Sequence, residues 1–261
     1  MSRLLDQPTQ IWLTGAGSGI GEAIARRLVQ DGHHLVISGR RREPLAAIAS
    51  MNPEQVQVAP ADTTRTEDLQ QVSNLLNGGR PLQLAILNAG TCEYIDVDQF
   101  SADTIAANIE TNVLGTARSI EMVLPLLRKT RAQGLPAALV IVSSSAWWFP
   151  FGRAEGYGAS KAALTYLAHS LRADLAAEGI EVIVVSPGFV KTPLTDRNDF
   201  PMPFLIDAET AAERTVRGLQ QGKKDIEFPK RFTWTLRLLG NLPQGLIDRM
   251  AASMSKKSSR G

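Results

Sequence analysis

Two hydrophobic periods alternate along the chain. Short apolar runs at residues 11–13, 35–38, 55–59, 82–87, 139–142 and 180–185 read as buried strands, the last one rich in β-branched residues. Between them lie stretches with apolar residues three and four apart. In residues 20–30 these are Ile20, Ala23, Ile24 and Leu28, and Asp31-Gly32 stops the helix. Further helices are predicted over residues 44–50, 66–77 (with Glu67 and Asp68 in the first turn), 102–131 as one long helix, and 157–177. Residues 192–206, rich in Pro, Asp and Phe, read as a loop or short helices. A helix over 208–221, a strand over 225–228 and a helix pair over 230–254 with a break at 240–245 follow.

Strands alternating with helices of these lengths predict an α/β fold. It is a doubly wound parallel sheet of about seven strands with helices on both faces, in one domain spanning residues 1–261. The length, 261 residues, suits one large domain, and 44% hydrophobic residues suit a globular protein. The net charge of +2 does not mark a nucleic-acid binder. Charge is uneven, however. Residues 223–261 hold nine Lys/Arg against three Asp/Glu, so 229–261 reads as a basic amphipathic C-terminal extension. Its Phe228, Phe232, Trp234, Leu236, Leu238 and Leu239, with Lys230, Arg231 and Arg237, suit a membrane interface, or equally a core or subunit contact. The single cysteine, Cys92, excludes an internal disulfide and a Cys-based metal site. His33, His34 and His169 lack ligand spacing and read as surface or helix residues, so no metal is expected. No run approaches the ~18 apolar residues of a membrane span, and residues 1–10 carry no apolar leader segment. A cytoplasmic location is expected.

The first strand runs into Thr14-Gly15-Ala16-Gly17-Ser18-Gly19-Ile20-Gly21 and then a helix. Glycines there allow a sharp turn and close approach of a pyrophosphate, which the helix N-terminus attracts. No Gly-Lys-Ser/Thr follows, so this is not a P-loop. At the end of the second strand, where a dinucleotide-binding fold meets the adenosine ribose, the position usually taken by an acid is Gly39, followed by Arg40. An arginine suits a 2′-phosphate, so NADP(H) is expected over NAD(H); three arginines at a solvated helix start are the other reading.

With Asn88-Ala89-Gly90 after the fourth strand and Tyr157-Gly158-Ala159-Ser160-Lys161 opening a later helix, the chain resembles the short-chain dehydrogenase/reductase family, of NADP-preferring type with TGxxxGxG and YxxxK motifs. The resemblance runs from about Ile11 to Thr192 and implies a Rossmann-type fold. It also implies an oxidoreductase that interconverts a carbonyl and an alcohol, with Asn112, Ser144, Tyr157 and Lys161 as the catalytic set. Tyr157 and Lys161, four apart, share a helix face. A nearby cation is expected to lower the phenol from its usual ~10. Tyr157 then acts as acid or base. Ser144, thirteen residues before the tyrosine as in the family, would hydrogen-bond the substrate oxygen; Ser143 and Ser145 could cap the strand end. Asn112 would kink its helix and hold a water. Asp62 resembles the acid that contacts the adenine ring, or caps the next helix. Asn88, Ala89 and Gly90 would brace the sheet beside the cofactor. Pro187, Gly188, Val190 and Thr192 would meet the carboxamide and pyrophosphate. Homodimers or homotetramers are the family's usual assemblies, through the helices near 102–131 and 157–177.

The chain departs from the family between Ser144 and Tyr157, where Trp147-Trp148-Phe149-Pro150-Phe151 stands instead of small residues. Trp147, Trp148 and Phe149, with Phe204 from a substrate lid at 192–206, would wall a pocket for a lipophilic substrate, or else form a subunit contact or a hydrophobic plug. A catalytically idle dinucleotide-binding regulator is the competing function. A serine hydrolase lacks its Gly-x-Ser-x-Gly elbow.

Overall fold

A computed structural model describes residues 4–258. Residues 1–3 and 259–261 of the expected domain and C-terminal extension lie outside the described residues. Seven strands form one parallel sheet in the order β3-β2-β1-β4-β5-β6-β7. They are β1 (Gln10–Thr14), β2 (His34–Ser38), β3 (Val56–Val58), β4 (Leu84–Leu87), β5 (Ala137–Val142), β6 (Ile180–Pro187) and β7 (Asp225–Phe228).

The sheet is buried on both faces, which is why its strands read as continuous apolar runs. Successive side chains still alternate. Ile11, Leu13, Leu35, Ile37, Leu84 and Ile86 enter one core with α1 (Gly19–Gln30) and α7 (Ala208–Gln220). Trp12, Val36, Ala85, Leu87, Leu139 and Ile141 enter the other, against α3 (Thr66–Asn77), α5 (Gly115–Ala132) and α6 (Glu155–Asp174). The α2 helix (Arg42–Ala49) borders β3. A third, smaller cluster joins Phe149 to Phe232, Leu236 and Ile247 of α8 (Lys230–Gly240) and α9 (Gln244–Ser258).

Two expectations change. The long helix over 102–131 is three segments: α4 (Ala102–Asn108), a π-helical turn at Ile109–Leu114, and α5. His33 is buried rather than on the surface, its Nδ1 accepting from the Thr9 N–H at 3.3 Å; burial lowers its pKa. His169 is exposed beside Asp225, at 3.5 Å.

Strands β1 and β4 adjoin, while the chain crosses from β3 on one side to β4 on the other. The carboxyl ends of β1 and β4 therefore open at the point where strand order reverses, the usual place for a ligand in open α/β sheets.

Candidate active site

A cleft of about 1020 Å³ opens at these strand ends. That is at the top of the roughly 300–1,000 Å³ range of small-molecule sites. Its floor is the glycine-rich turn. Gly15 has φ +67°, and a Cβ there would lie 2.8 Å from Asn88 Nδ2. A Cβ at Gly21 would overlap the Gly15 carbonyl, so the turn and α1 meet only because both are glycine. Ser18 caps α1 in extended conformation and its side chain makes no capping bond. The first N–H groups of α1 have no intrahelical acceptor and face the cleft through Ser18, Gly19 and Ile20. The turn is tied to the next strand. Thr14 Oγ1 accepts from the Asn88 and Ala89 N–H groups at 3.0 Å, and Asn88 Nδ2 donates to the Thr14 and Gly15 carbonyls at 3.2 Å.

Every residue expected at a dinucleotide borders the cleft, from Thr14 through Arg40, Asp62 and Gly90 to Pro187, Gly188, Val190 and Thr192. Arg40 and Arg41 are exposed at one end. The Asp62 carboxylate does not cap α3. It accepts from Thr64 N and Oγ1 at 2.9 and 2.7 Å. Burial opposes its charge, yet those bonds, with Arg40 and Arg65, hold it below the usual carboxylate range.

Toward the other end stand Ser144, Tyr157 and Lys161, all on the cleft wall. Lys161 Nζ lies 5.7 Å from the centroid of the Tyr157 ring and donates to the Val142 carbonyl at 3.1 Å. Burial lowers the Lys161 ammonium to about 8. Burial also pushes the Tyr157 phenol above its ordinary value, and a hydrogen bond from Ser144 pulls the other way. Burial therefore moves the phenol upward, opposite to the direction expected from a neighbouring cation, and Lys161 is not among the causes of the shift.

Asn112 does not line the cleft; it is fully buried behind it, in the π turn. Its Oδ1 accepts from the Thr91 N–H at 2.7 Å, and its Nδ2 donates to the Thr91 carbonyl at 3.0 Å and to Ser160 Oγ at 2.8 Å. Ser160 Oγ in turn donates to the Tyr157 carbonyl at 2.7 Å. Asn112 thus fixes both the Thr91 backbone and the first turn of α6. Ser143 does not cap the strand end by itself. Its Oγ donates to the Lys161 carbonyl at 2.9 Å and lies 2.8 Å from Thr165 Oγ1, anchoring α6 to β5. Thr91, Ser160 and Thr165 escaped sequence reasoning because their roles depend on neighbours across the sheet.

The aromatic wall is not where the sequence suggested. Trp147, Trp148, Phe149 and Phe204 are absent from the cleft lining. Phe149 is buried in the third cluster, Trp148 packs beside it under Arg237 (5.0 Å), and Phe204 is 52% exposed near Phe232. This is the hydrophobic-plug alternative, and it removes the argument for a lipophilic pocket wall. The cleft is bordered there instead by Thr91, Glu93, Pro193, Leu194 and Arg197. Glu93 accepts from Thr91 Oγ1 at 2.8 Å and pairs with Arg197 at 3.6 Å.

Residues 192–206 leave and return at one place, where Val190 bridges Ile206. The excursion is fastened to the opposite rim by Tyr94, which donates to Asn198 Oδ1 at 2.8 Å and meets Phe200 edge-on. Arg153 holds Asp199 at 2.7 Å. Cys92 lies beneath this rim, buried, with its thiol pushed up by burial.

Comparison with known proteins agrees with this geometry. The model of the short chain dehydrogenase family matches residues 9–200. An uncharacterized oxidoreductase from Myxococcus xanthus is 33% identical over 248 residues, covering 92% of this chain and 94% of that one. A short-chain dehydrogenase from Sphingobium yanoikuyae, solved in complex with NADPH, is 27% identical with a TM-score of 0.77, covering 92% of this chain and 95% of the other. A short chain dehydrogenase from Burkholderia cenocepacia, solved with NADP, shares the fold at 24% identity and a TM-score of 0.80, covering 93% and 97%.

Proposed function

The chain belongs to the short-chain dehydrogenase family of oxidoreductases, and from that premise we propose that it reduces a carbonyl to an alcohol, and reverses the reaction, with NADP(H) and with Tyr157 as the proton-transferring group. The observation that carries this reading is the meeting, in one cleft, of the glycine-rich turn with Ser144, Tyr157 and Lys161.

The residues present fit a dinucleotide. The glycine turn leaves room that any Cβ would fill, and the open start of α1 suits a pyrophosphate. Arg40, with Arg41 beside it, suits a 2′-phosphate, and the choice rests on those arginines, because structures of the same fold are solved with NADPH, NADP and NAD. Asp62 would meet the adenine, Lys161 the nicotinamide ribose, and Pro187, Gly188, Val190 and Thr192 the nicotinamide and pyrophosphate. When bound, the nicotinamide supplies or accepts the hydride.

The chain's own part is proton transfer and positioning. Burial keeps the Tyr157 phenol protonated at neutral pH, so it enters the cleft as a donor and suits carbonyl reduction. The Ser144 hydroxyl, on the same wall, holds the substrate oxygen and favours the charge that develops on it. Lys161 places a cation behind the phenol. Asn112 positions α6 and the Thr91 backbone and touches no substrate. The 192–206 excursion is the lid. Thr91, Glu93 and Arg197 support a substrate with polar groups near its carbonyl, in place of a wholly lipophilic one.

We place the protein in the cytoplasm, where its one thiol stays reduced. It assembles as a homodimer or homotetramer through α5 and α6, with Tyr166 (80%) exposed on α6 and Leu114 (41%) exposed at the end of the π turn that leads into α5.

The test is Tyr157→Phe assayed by NADPH oxidation over a panel of ketones and aldehydes. Turnover falls by about 10²–10⁴ while NADPH binding persists. Unchanged turnover in the variant overturns the role of Tyr157. No turnover by the wild type, with NADPH still bound, favours an idle dinucleotide-binding regulator.

A further inference from the structure

We propose that the outer face of the C-terminal helix pair, α8 and α9, docks the protein on an anionic lipid bilayer. The inner face of the pair is spent on the fold: Phe232, Leu236 and Ile247 bury against Phe149. The outer face keeps large apolar side chains in solvent. On α8 these are Trp234, 71% exposed, and Leu238, 69% exposed, four residues apart and so neighbours on one side of the helix. Arg231, three residues before Trp234, shares that side. On α9, Leu246 and Met254 are exposed, with Arg249 three residues after Leu246. The core thus leaves Trp234 and Leu238 unused and open to a partner. A tryptophan beside cations on an amphipathic helix suits the boundary between headgroups and acyl chains.

Charge selects the partner. Residues 229–261 carry seven Lys/Arg and one acid, Asp248. Arg237 is engaged by Glu227 at 2.8 Å and by the Trp148 ring. Among the described residues, Arg231 and Arg249 form no ion pair with the rest of the fold, so they are free to meet lipid phosphates. A second copy of this chain fits less well, because a two-fold contact through this patch would oppose like charges. No described helix is long and apolar enough to cross a membrane, so the contact is peripheral. It does not depend on the redox reading of the cleft.

The experiment is co-sedimentation of the full chain with phosphatidylglycerol vesicles and with phosphatidylcholine vesicles at low salt, together with native mass by light scattering. The wild type is expected to partition at least about tenfold better onto the anionic vesicles, and to release at high salt. Trp234→Ser/Leu238→Ser is expected to abolish partition with unchanged melting temperature and NADPH binding, since both positions are exposed. Arg231→Glu is expected to weaken only the anionic preference. Absence of binding, equal binding to both lipids, or unaltered binding by the double variant overturns the proposal. So does a native mass that falls in the double variant, which would assign the patch to self-association.

Discussion

The buried Lys161 ammonium lies 5.7 Å from the ring of Tyr157, which is half-buried on the cleft wall, and loss of solvent moves each toward its neutral form. The lysine falls to about 8 and the phenol rises. The pair at neutral pH is therefore a protonated phenol in front of a cation that is easily discharged. As pH rises through about 8, the ammonium is lost first. We expect kcat/KM for carbonyl reduction to hold through neutral pH and to fall above about 8. A pH–rate profile checks this, and a flat profile to pH 10 would contradict it.

The same burial has a stability consequence of known sign. The folded Lys161 binds its proton less tightly than the unfolded lysine, whose ordinary value is 10.5. Between about 8 and that value the unfolded chain holds more protons, so stability gained from this group rises with pH. Below about 8 the cost of burying the charge is fully present. Lys161→Met is expected to raise the melting temperature at pH 7 and to lose that advantage by pH 10, while abolishing activity. Melting curves at the two pH values decide it.

Arg40 tests the cofactor assignment. It lies exposed at the end of the cleft proposed for the adenosine, near the Asp62 carboxylate. A charge-assisted bond to a phosphate contributes about 1.5–3 kcal/mol, or roughly 10–150-fold in affinity. Arg40→Asp should cost NADPH that much in Kd and improve NADH. Equal losses for both would mean that Arg40 serves the turn rather than the 2′-phosphate.

Much of this site was legible in the sequence, for a physical reason. Thr14 to Gly21, Asn88 to Gly90 and Tyr157 to Lys161 are local segments, each doing its work through its own backbone or one helical turn. The strand at Asp225–Phe228 and the helix at Thr66–Asn77 fall where periodicity placed them. What stayed hidden is non-local. The π turn at Ile109–Leu114 inserts into a helical pattern without breaking its apolar stripe, so residues 102–131 read as one helix. Phe149 looked like a pocket wall because its partners, Phe232 and Leu236, lie far along the chain. His33 looked superficial because only the fold brings it to the Thr9 amide. Arg197 and Glu93 meet across the cleft, and neither belongs to a motif.

Asn112 acts through others, which makes its signature distinctive. Asn112→Leu would leave the Thr91 N–H and carbonyl without their partners in a half-buried place and free Ser160 Oγ to reorient. Each unpaired buried group costs about 1–3 kcal/mol. We expect a lower melting temperature and a fall in kcat that exceeds the change in KM for NADPH, because the cradle at Gly15 is untouched. Asn112→Asp keeps the acceptor for Thr91 and should restore part of the stability. If KM for NADPH rises while kcat holds, Asn112 belongs to cofactor binding instead.

Phe149 separates the plug from the pocket. It is 2% exposed and packs with Phe232, Leu236 and Ile247, whereas the cleft is bordered by other residues. Removing a buried phenylalanine side chain costs about 3–5 kcal/mol through lost burial and the cavity left behind. Phe149→Ala should therefore lower the unfolding free energy by that order, seen in denaturant titration, and loosen α8 and α9 first. Substrate selectivity among ketones of different chain length should not change in the fraction that stays folded, since the ring touches no part of the cleft. A shift in selectivity without loss of stability would restore Phe149 to the pocket wall. It would also return the lipophilic substrate to consideration, because the aromatic loop would then face Tyr157 and not the C-terminal helices.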